Sequence, residues 1–336
     1  MAEYNKVGFE QVVGHHEIIN HLQNAILMDK VSHSYIFSGE QGAGKKLLTS
    51  LFAMTLQCEE HGKNPCLECD SCKKALSENH PDIIRVYHEK PNVISVDEIR
   101  RQVVNDVEIK PYKGPYKIYL INEADKMNVQ AQIALLKTIE EPPAYAIIIL
   151  LTSNADAMLP TIKSRCVTLH LKALSTDLVK EYLMERLHIP DYQAEIDASF
   201  AQGNIGRAKE VATSEEFAAM IDRAVLLLKR GGTMQLNELV EMLKELSGDK
   251  KRIFEYLDLF KMWFCDVLMF KATMEIDSLV FKNEYNYIRE QARKCSYEGL
   301  DDIIGAIDKA KVRINANVNF DLTMELLFLT IRETLR

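Results

Sequence analysis

The sequence has no long hydrophobic run and no apolar signal region near its start. Its longest apolar run, Ala146 to Leu151, is far too short to cross a bilayer, which takes about 20 residues. The first six residues, Met-Ala-Glu-Tyr-Asn-Lys, are mostly polar, so we expect a cytoplasmic protein with no membrane contact. We also find no low-complexity tract and no convincing internal repeat.

Positive charge is scarce as well. The 336 residues include 41 Lys and Arg against 49 Asp and Glu, which gives a net charge of −8. This balance argues against a protein that coats nucleic acid by charge alone, although it is compatible with a local basic face. Proteins are therefore the expected partners. The hydrophobic fraction of 47% is enough for two or three domains, each with its own core.

Four of the seven cysteines are crowded into one short stretch, separated by seven, two and two residues. They are Cys58, Cys66, Cys69 and Cys72. Four thiolates at this spacing favour a tetrahedral zinc ion with no open position for water, in a reducing compartment. We predict a structural zinc module over about 58–72. His61 is an alternative ligand that the fourth cysteine makes unnecessary.

A glycine-rich stretch follows a short apolar strand. Residues 34–46 read Ser-Tyr-Ile-Phe-Ser-Gly-Glu-Gln-Gly-Ala-Gly-Lys-Lys. Gly39, then four residues, then Gly44 and Lys45 match the loop whose amides cradle phosphates at a helix N-terminus while the lysine reaches the terminal phosphates. Together with Gly42, these residues are our candidate nucleotide-binding loop.

The residue after Lys45 departs from this pattern. A Ser or Thr hydroxyl at that position ligates the magnesium ion between the β and γ phosphates, and Lys46 cannot bind a cation. Thr49 and Ser50 lie about one helical turn further on, roughly 5 Å along the axis, and do not easily replace the hydroxyl. We therefore expect no magnesium, and any ATP or ADP binding would depend on Lys45 and the loop amides.

A second departure follows the strand that begins at Lys117. Beside a phosphate-binding loop, a strand of this kind normally holds magnesium through an aspartate at its end, where this chain has Asn122. Glu123, at the place of a carboxylate that activates water, is retained. Two magnesium ligands, at positions 46 and 122, are therefore missing independently, which indicates that hydrolysis is not required of this chain.

Strands and helices alternate through the first 172 residues. After the strand before the glycine loop, the predicted strands are Asp82–Tyr87, Lys117–Asn122, Ala146–Thr152 and Val167–Leu171. Between them, a capping box at Ser95–Glu98 opens a helix through about Val107, and another helix stops at Pro142 and Pro143. The pattern predicts a parallel five-stranded sheet in a three-layer α/β domain.

No strand is predicted after about Leu174. Short helices predict a small helical lid over 173–212, and a capping box at Thr213–Glu216 opens an all-helical bundle over 213–336, a candidate oligomerisation module. In this bundle a break is predicted at Gly231-Gly232, and further helices near Gln235, Lys250, Glu284, Glu298 and Phe320.

Arg165 lies in Ser-Arg-Cys, after a turn at the end of the α/β part. An arginine offers a fixed fork for phosphate oxygens and can be supplied in trans to another subunit's nucleotide. The pattern by itself favours an ordinary surface arginine.

Taken together, these motifs resemble the clamp-loader branch of the AAA+ ATPases over nearly the whole chain. Besides the four cysteines, the resemblance rests on Ser32–Gly39, His80-Pro-Asp82, Leu135–Pro143, Thr161–Cys166, Gly203–Ala208 and Ile314–Leu327. It implies an AAA+ P-loop domain, a lid and a collar, in a five-subunit ring that opens a sliding clamp and places it on primed DNA. It also implies that Arg165 is an arginine finger for the ATP site of an adjacent ATPase subunit.

Further departures come from the same resemblance. Gly206 stands where motor subunits of the family carry a lid arginine, and Thr152 and Ser153 fall where the family senses the γ-phosphate. With the site degenerate, we expect these two hydroxyls to act as ordinary hydrogen-bonding groups at a strand end.

Three functions are compared. The preferred one is a ring subunit that does not hydrolyse ATP. The alternative is an ATP-hydrolysing motor subunit of the same assembly, which would need a hydroxyl at position 46 and an aspartate at position 122. A free-standing zinc-containing DNA-binding protein is disfavoured by the acidic charge, and a steep salt dependence of DNA binding by the isolated chain would favour it.

Overall fold

The computed structural model describes residues 8–230, 252–316 and 318–335. These residues form two compact units. The first runs to Leu174 and also includes Asn204–Gly206, and the second contains Ser175–Gly203 and the residues from Arg207 onward. The predicted break at Gly231-Gly232 and the helix starts near Gln235 and Lys250 lie outside the described residues.

The first unit is built on a parallel five-stranded sheet with strand order β2-β3-β4-β1-β5. Its strands are β1 Ser34–Ser38, β2 Ile83–Val86, β3 Lys117–Ile121, β4 Ala146–Thr152 and β5 Val167–His170. The prediction of a parallel five-stranded sheet is confirmed. The central strands β1, β3 and β4 are buried along their whole length, as expected of parallel strands covered on both faces.

Helices cover both faces of this sheet. They are α1 His16–Leu27, α2 Lys45–Leu56, α3 Asp70–Leu76, α4 Val96–Ile99, α5 Val129–Glu140 and α6 Pro160–Lys163. Alternate residues of β1 point to opposite layers, because side chains alternate along a strand. Phe37 packs with Leu48 and Phe52 of α2, whereas Ile36 packs in the core that contains Leu135 of α5.

The capping box predicted before α4 is confirmed. The Ser95 hydroxyl accepts a hydrogen bond from the Glu98 amide, and the Glu98 carboxylate accepts one from the Ser95 amide. The helix does not continue regularly to Val107, because α4 changes into a π-helical turn over Arg100–Val104 and ends there.

The second unit contains only helices among its described residues. They are α7 Thr176–Leu187, α8 Asp191–Ala201, α9 Ile205–Thr213, α10 Glu215–Arg230, α11 Ile253–Thr273, α12 Tyr285–Lys294, α13 Tyr297–Asn315 and α14 Phe320–Leu335. The first two residues of α9 belong to the first unit. Trp263 lies at the centre of the core and donates to the side chain of Gln291 over 2.8 Å, so its indole N–H is satisfied.

The capping box predicted at Thr213–Glu216 is wrong by one residue. Thr213 ends α9, and its hydroxyl donates to the Lys209 carbonyl over 2.8 Å. Ser214 instead accepts from the Phe217 amide over 3.2 Å and caps α10. Ser214 has Phe217 three residues later and so lacks the reciprocal carboxylate of a capping box, but because α9 ends at Thr213 the Ser214 hydroxyl is the one that caps α10.

Candidate functional site

The glycine loop connects β1 to α2 at the carboxyl edge of the sheet. Gly42 and Gly44 adopt left-handed backbone conformations, with φ of +89° and +92°, and Gly44 is the N-cap of α2. Glycine is required at both positions, because an L side chain is strained in this region. At the start of the loop, the Gly39 amide donates to the Thr152 carbonyl at the end of β4 over 3.2 Å. The sequence thus forms a tight glycine loop at the start of α2, and the loop remains a candidate phosphate-binding loop.

The lysine of this loop is engaged by the loop itself. The Lys45 ammonium donates to the carbonyls of Gly39 and Glu40, the second over 2.7 Å. Partial burial lowers the pKa of Lys45, although the nearby carboxylates of Asp125 and Glu40 oppose this effect. The group that would reach terminal phosphates is therefore used to close the loop on itself.

No hydroxyl replaces the one missing at position 46. Thr49 is buried, and its hydroxyl donates to the Lys45 carbonyl over 2.9 Å and approaches the Lys46 carbonyl at 3.3 Å. These are bonds within the first turns of α2. Thr49 is thus a helix-stabilising residue and not a metal ligand of the loop.

The acidic segment after β3 lies at the same edge of the sheet, since β3, β4 and β1 are parallel neighbours. Asn122 follows the last residue of β3, and Glu123 adopts a left-handed conformation. The Glu123 carboxylate pairs with Lys126 at 2.8 Å and lies 3.2 Å from His88 Nε2. The Lys126 hydrogen bond, assisted by His88, lowers the pKa of Glu123. This ionised, paired carboxylate is a weak candidate for activating water.

Asp125 is a site residue that our sequence reasoning missed. Its carboxylate accepts from the Thr152 hydroxyl over 2.8 Å and from the Ser153 amide over 3.0 Å. Burial opposes ionisation of Asp125, but these hydrogen bonds outweigh it and leave the pKa below its usual value. Thr152 and Ser153 are thus held by an acidic neighbour, as hydrogen-bonding residues of a strand end. The sequence could have indicated Asp125, because this acidic residue lies three positions after Asn122 in the segment Asn122-Glu-Ala-Asp125.

The segment Asn204–Gly206 packs directly on the glycine loop. The Gly206 amide donates to the Gly42 carbonyl over 3.0 Å, and the Asn204 side chain donates to the Gln41 carbonyl over 2.7 Å. A Cβ atom at position 206 would lie 2.6 Å from Gly42 Cα. Only glycine therefore permits this close approach. Gly206 is also the position at which, by the resemblance described above, motor subunits carry a lid arginine.

The four predicted zinc ligands come together. The Sγ atoms of Cys58, Cys66, Cys69 and Cys72 all lie within 4.8 Å of one another. Tetrahedral coordination with Zn–S near 2.3 Å requires sulfur atoms about 3.8 Å apart, and Cys66 Sγ and Cys72 Sγ are 3.9 Å apart. The donor set is therefore compatible with a tetrahedral ion, and His61 is not part of the cluster.

Backbone amides support these sulfur atoms. The amides of Cys66, Cys69 and Cys72 each point at the sulfur of the preceding cysteine, with N to S distances of 3.3–3.4 Å. Cys69 is also the N-cap of α3, so the cysteine knuckle and the start of that helix are one structure. Such N–H···S bonds orient thiolates toward a shared ion, the usual role of groups behind a metal site.

The cysteine module is tied to the sheet through a loop before β3. Lys113 pairs with Asp70 of α3 and, at 3.1 Å, with Glu59. The backbone of this loop is fixed by the buried Asp82, whose carboxylate accepts from the amides of Tyr112, Lys113 and Gly114 over 2.6–2.9 Å. A metal ion bound by the four cysteines would therefore stabilise the loop over 112–114 and Asp82, which precedes β2.

Arg165 lies far from the glycine loop in the same unit. It precedes β5 by two residues, so it is at the amino-terminal edge of the parallel sheet, whereas the glycine loop follows β1 at the carboxyl edge. The paired strands β5 and β1 are four and five residues long, which separates the two edges by roughly 13–17 Å. The Arg165 side chain is 42% exposed and pairs with Glu140 at 2.9 Å.

None of the described helices is long and apolar enough to span a membrane.

The chain was compared with known proteins. Residues 14–175 match the family described as DNA polymerase III, delta subunit. The delta' subunit of DNA polymerase III from Bacillus subtilis is 29% identical over 320 residues, covering 93% of this chain and 94% of that protein. The tau subunit of the same organism is 30% identical over 325 residues, covering 90% of this chain. The chain spans only 57% of the length of that tau subunit.

Solved structures were compared as well. A DNA polymerase III gamma subunit-related protein from Thermotoga maritima aligns with 95% of this chain and 99% of its own, at 20% identity and a TM-score of 0.46.

Proposed function

We propose that the chain is a clamp-loader subunit of DNA polymerase III, and specifically the delta-prime-type subunit, which does not hydrolyse ATP. The family match over residues 14–175 and the delta' relative support this proposal. In this role the chain supplies Arg165 as an arginine finger to the ATP site of a neighbouring ATPase subunit. It thereby helps the complex to load the sliding clamp on primed DNA during replication.

The position of Arg165 carries this proposal. In a parallel sheet, the carboxyl edge and the amino-terminal edge cannot serve the same bound phosphate, because about 15 Å of strand lies between them. Arg165 is at one edge and the glycine loop at the other. An exposed arginine in this place acts on a nucleotide only if another chain brings it, which is the geometry of a finger in trans.

The state of the glycine loop supports the absence of hydrolysis. Lys46 and Asn122 remove both magnesium ligands, and a metal that bridges the phosphates is the main source of charge neutralisation in phosphoryl transfer. Lys45 is bonded to loop carbonyls, and Gly206 packs on Gly42. Any ATP or ADP would have to displace these contacts and bind without magnesium.

The partners follow from this role. We infer a hetero-pentameric ring with gamma/tau-type ATPase subunits and a delta subunit, located in the cytoplasm at the replisome. Contact with the sliding clamp and with DNA is made through the complex. Within this chain, residues 1–172 are the AAA+ P-loop domain, 173–212 the lid and 213–336 the collar that joins the subunits. The cysteine module holds a structural zinc ion, which four soft thiolates select.

A motor subunit of the gamma/tau type is the second candidate. It is favoured by the tau relative, whose identity of 30% equals that of the delta' relative within one percentage point. The two candidates differ in one measurable property, which is ATP turnover by this chain alone.

The test measures ATP binding and turnover by the purified chain with magnesium, with Lys45→Ala as the matched control. We expect no turnover above that of the control, because two metal ligands are missing. Turnover abolished by Lys45→Ala would show that the chain is a motor. In the reconstituted loader, Arg165→Ala should lower the ATPase of the neighbouring subunit by about 10³-fold or more. An unchanged ATPase would contradict the role of Arg165.

A further inference from the structure

The Arg165 guanidinium is held by three contacts within its own chain. Its Nε lies 2.9 Å from Oε1 of Glu140, the last residue of α5. Its Nη1 donates to the Thr161 carbonyl over 3.1 Å and to the Ser164 hydroxyl over 3.2 Å. The end of α5, together with α6 and the residue that follows it, therefore holds this side chain from two sides of the sequence.

These contacts fix the plane of the guanidinium and leave one nitrogen available. The group is planar, so anchoring Nε and Nη1 defines its orientation completely. Among the described residues, Nη2 of Arg165 has no hydrogen-bond partner. The side chain therefore presents Nη2, with its two N–H donors, in a preset direction, as required for contact with an oxygen on another molecule.

The ion pair with Glu140 contributes little to the stability of the fold. Both side chains are about two-fifths exposed, at 42% for Arg165 and 40% for Glu140. Exposed pairs of this kind contribute little, because solvent screens the charges and two long side chains lose rotamer freedom. Since the pair adds little stability, its effect on the molecule is to orient the Arg165 side chain.

Lys163, the other cation of this turn, pairs with a different carboxylate. Lys163 pairs with Asp156 at 3.3 Å, so it does not compete with Arg165 for Glu140. Glu141, the next residue after Glu140, has no ion pair among the described residues. Of the two adjacent glutamates, only Glu140 contacts the arginine, which gives the chain an internal control.

We propose that Glu140 is a positioning residue for Arg165. It holds Nε so that the outer edge of the guanidinium is presented to the nucleotide of the neighbouring subunit. This inference rests on the proposed role of Arg165 in trans. Preset orientation lowers the entropy that must be lost when the transition state forms, and small misplacements of such a group cost up to about 100-fold in rate.

The test uses the reconstituted loader with sliding clamp, primed DNA and ATP, and measures the ATPase of the neighbouring subunit. Glu140→Gln keeps the size of the side chain and removes its charge. We expect kcat to fall about tenfold with the KM for ATP nearly unchanged, since only the orientation of a transition-state contact is weakened. Glu141→Gln, the matched control, should leave both within about twofold.

A double variant separates positioning from a general structural effect. If Glu140 acts through Arg165, Glu140→Gln in the Arg165→Ala background should lower the ATPase no further. The thermal unfolding midpoint of Glu140→Gln should match that of the unaltered chain. An additional loss in the double variant, or a tenfold fall from Glu141→Gln as well, would overturn the inference.

The outcomes for the two proposals are distinguishable. If Arg165→Ala has no effect on the neighbour's ATPase, the role of Arg165 in trans is refuted. If Arg165→Ala lowers the ATPase while Glu140→Gln leaves it unchanged or raises it, the role in trans stands and the positioning role of Glu140 is refuted.

Discussion

Gly206 shows how a single residue fixes the state of the glycine loop. Its amide donates to the Gly42 carbonyl, and the atoms nearest to a Cβ at this position would be backbone atoms of Gly42 at 2.6–3.1 Å. Backbone cannot move aside as a flexible side chain can. The contact between residue 206 and the glycine loop therefore depends on the absence of a side chain at position 206.

We predict that Gly206→Ala destabilises the chain by about 1–3 kcal/mol, because the segment Asn204–Gly206 must be displaced from the loop. The measurement is the free energy of unfolding in urea. Gly305→Ala is the control, since Gly305 lies within α13 and a Cβ there would meet no atom within 4 Å. There the change should stabilise by about 0.5–1 kcal/mol. Equal effects at the two positions would contradict the close packing at 206.

Asp197 is a charged residue without a charged partner. It is fully buried in α8, where Gln193 donates to Oδ1 over 2.9 Å and Oδ2 has no hydrogen-bond partner among the described residues. Burial raises the pKa of Asp197 to about 6 from 3.8. Because the folded-state pKa lies above the unfolded value, ionisation costs stability above about pH 6, and this cost disappears as the pH falls below about 4.

Asp197→Asn should therefore increase the free energy of unfolding at pH 7–8, by about 1–2 kcal/mol, and change it little near pH 4. The measurement is urea unfolding across this pH range. Asp301→Asn, an exposed change in α13, should have an effect below about 0.5 kcal/mol at every pH. A gain for Asp197→Asn that persists at pH 4 would show that the charge is not its cause.

At the scale of an element, the cysteine module brings its four sulfur atoms together as a candidate metal site. Its sulfur atoms converge within 4.8 Å, and its neighbours Asp70 and Glu59 are tied by Lys113 to a loop fixed by Asp82. A metal ion here would connect the end of α2 to the start of α3 in the folded chain. Such an ion stabilises by binding the folded state only.

We predict about one zinc ion per chain in protein prepared without chelator, and loss of most of it in Cys72→Ser. The measurements are elemental analysis and the unfolding midpoint, which should fall in the variant. Cys265→Ser is the control, because Cys265 is exposed and lies in α11, outside the cluster. Less than about half an equivalent of zinc in the unaltered chain would count against the site.

Local elements were largely predictable from local sequence. The five strands, the capping box at Ser95 and the end of α5 at the two prolines follow from apolar runs, a side-chain oxygen at an N-cap and the missing amide of proline. The π-helical turn at Arg100–Val104 was not predictable, because it depends on how the helix packs against the sheet. The N-cap of α10 was misplaced by one residue for the same kind of reason.

At the scale of the first unit, the order of the strands decides which residues act together. Thr152 bonds both to Gly39 of the glycine loop and to Asp125, because β3, β4 and β1 are parallel neighbours that end at one edge. Arg165 is placed at the other edge by the same order. The separation of a degenerate nucleotide loop from an exposed arginine is thus a property of the topology.

The sequence by itself determined the chemistry that this chain lacks and the ligands that it has. A lysine at 46 cannot ligate magnesium and an asparagine at 122 lacks the charge of the usual aspartate, while four closely spaced cysteines favour a soft metal. Only the tertiary structure decided the use of the remaining charges. It bonded Lys45 to its own loop, paired Glu123 with Lys126, held Thr152 on Asp125 and set Arg165 on Glu140. The pairings of Thr152 with Asp125 and of Arg165 with Glu140 join residues that parallel strands and packed helices bring together, so their distances in sequence carry no record of the contact. Lys45 and Glu123 bond to near neighbours in the chain, where the local turn decides the contact.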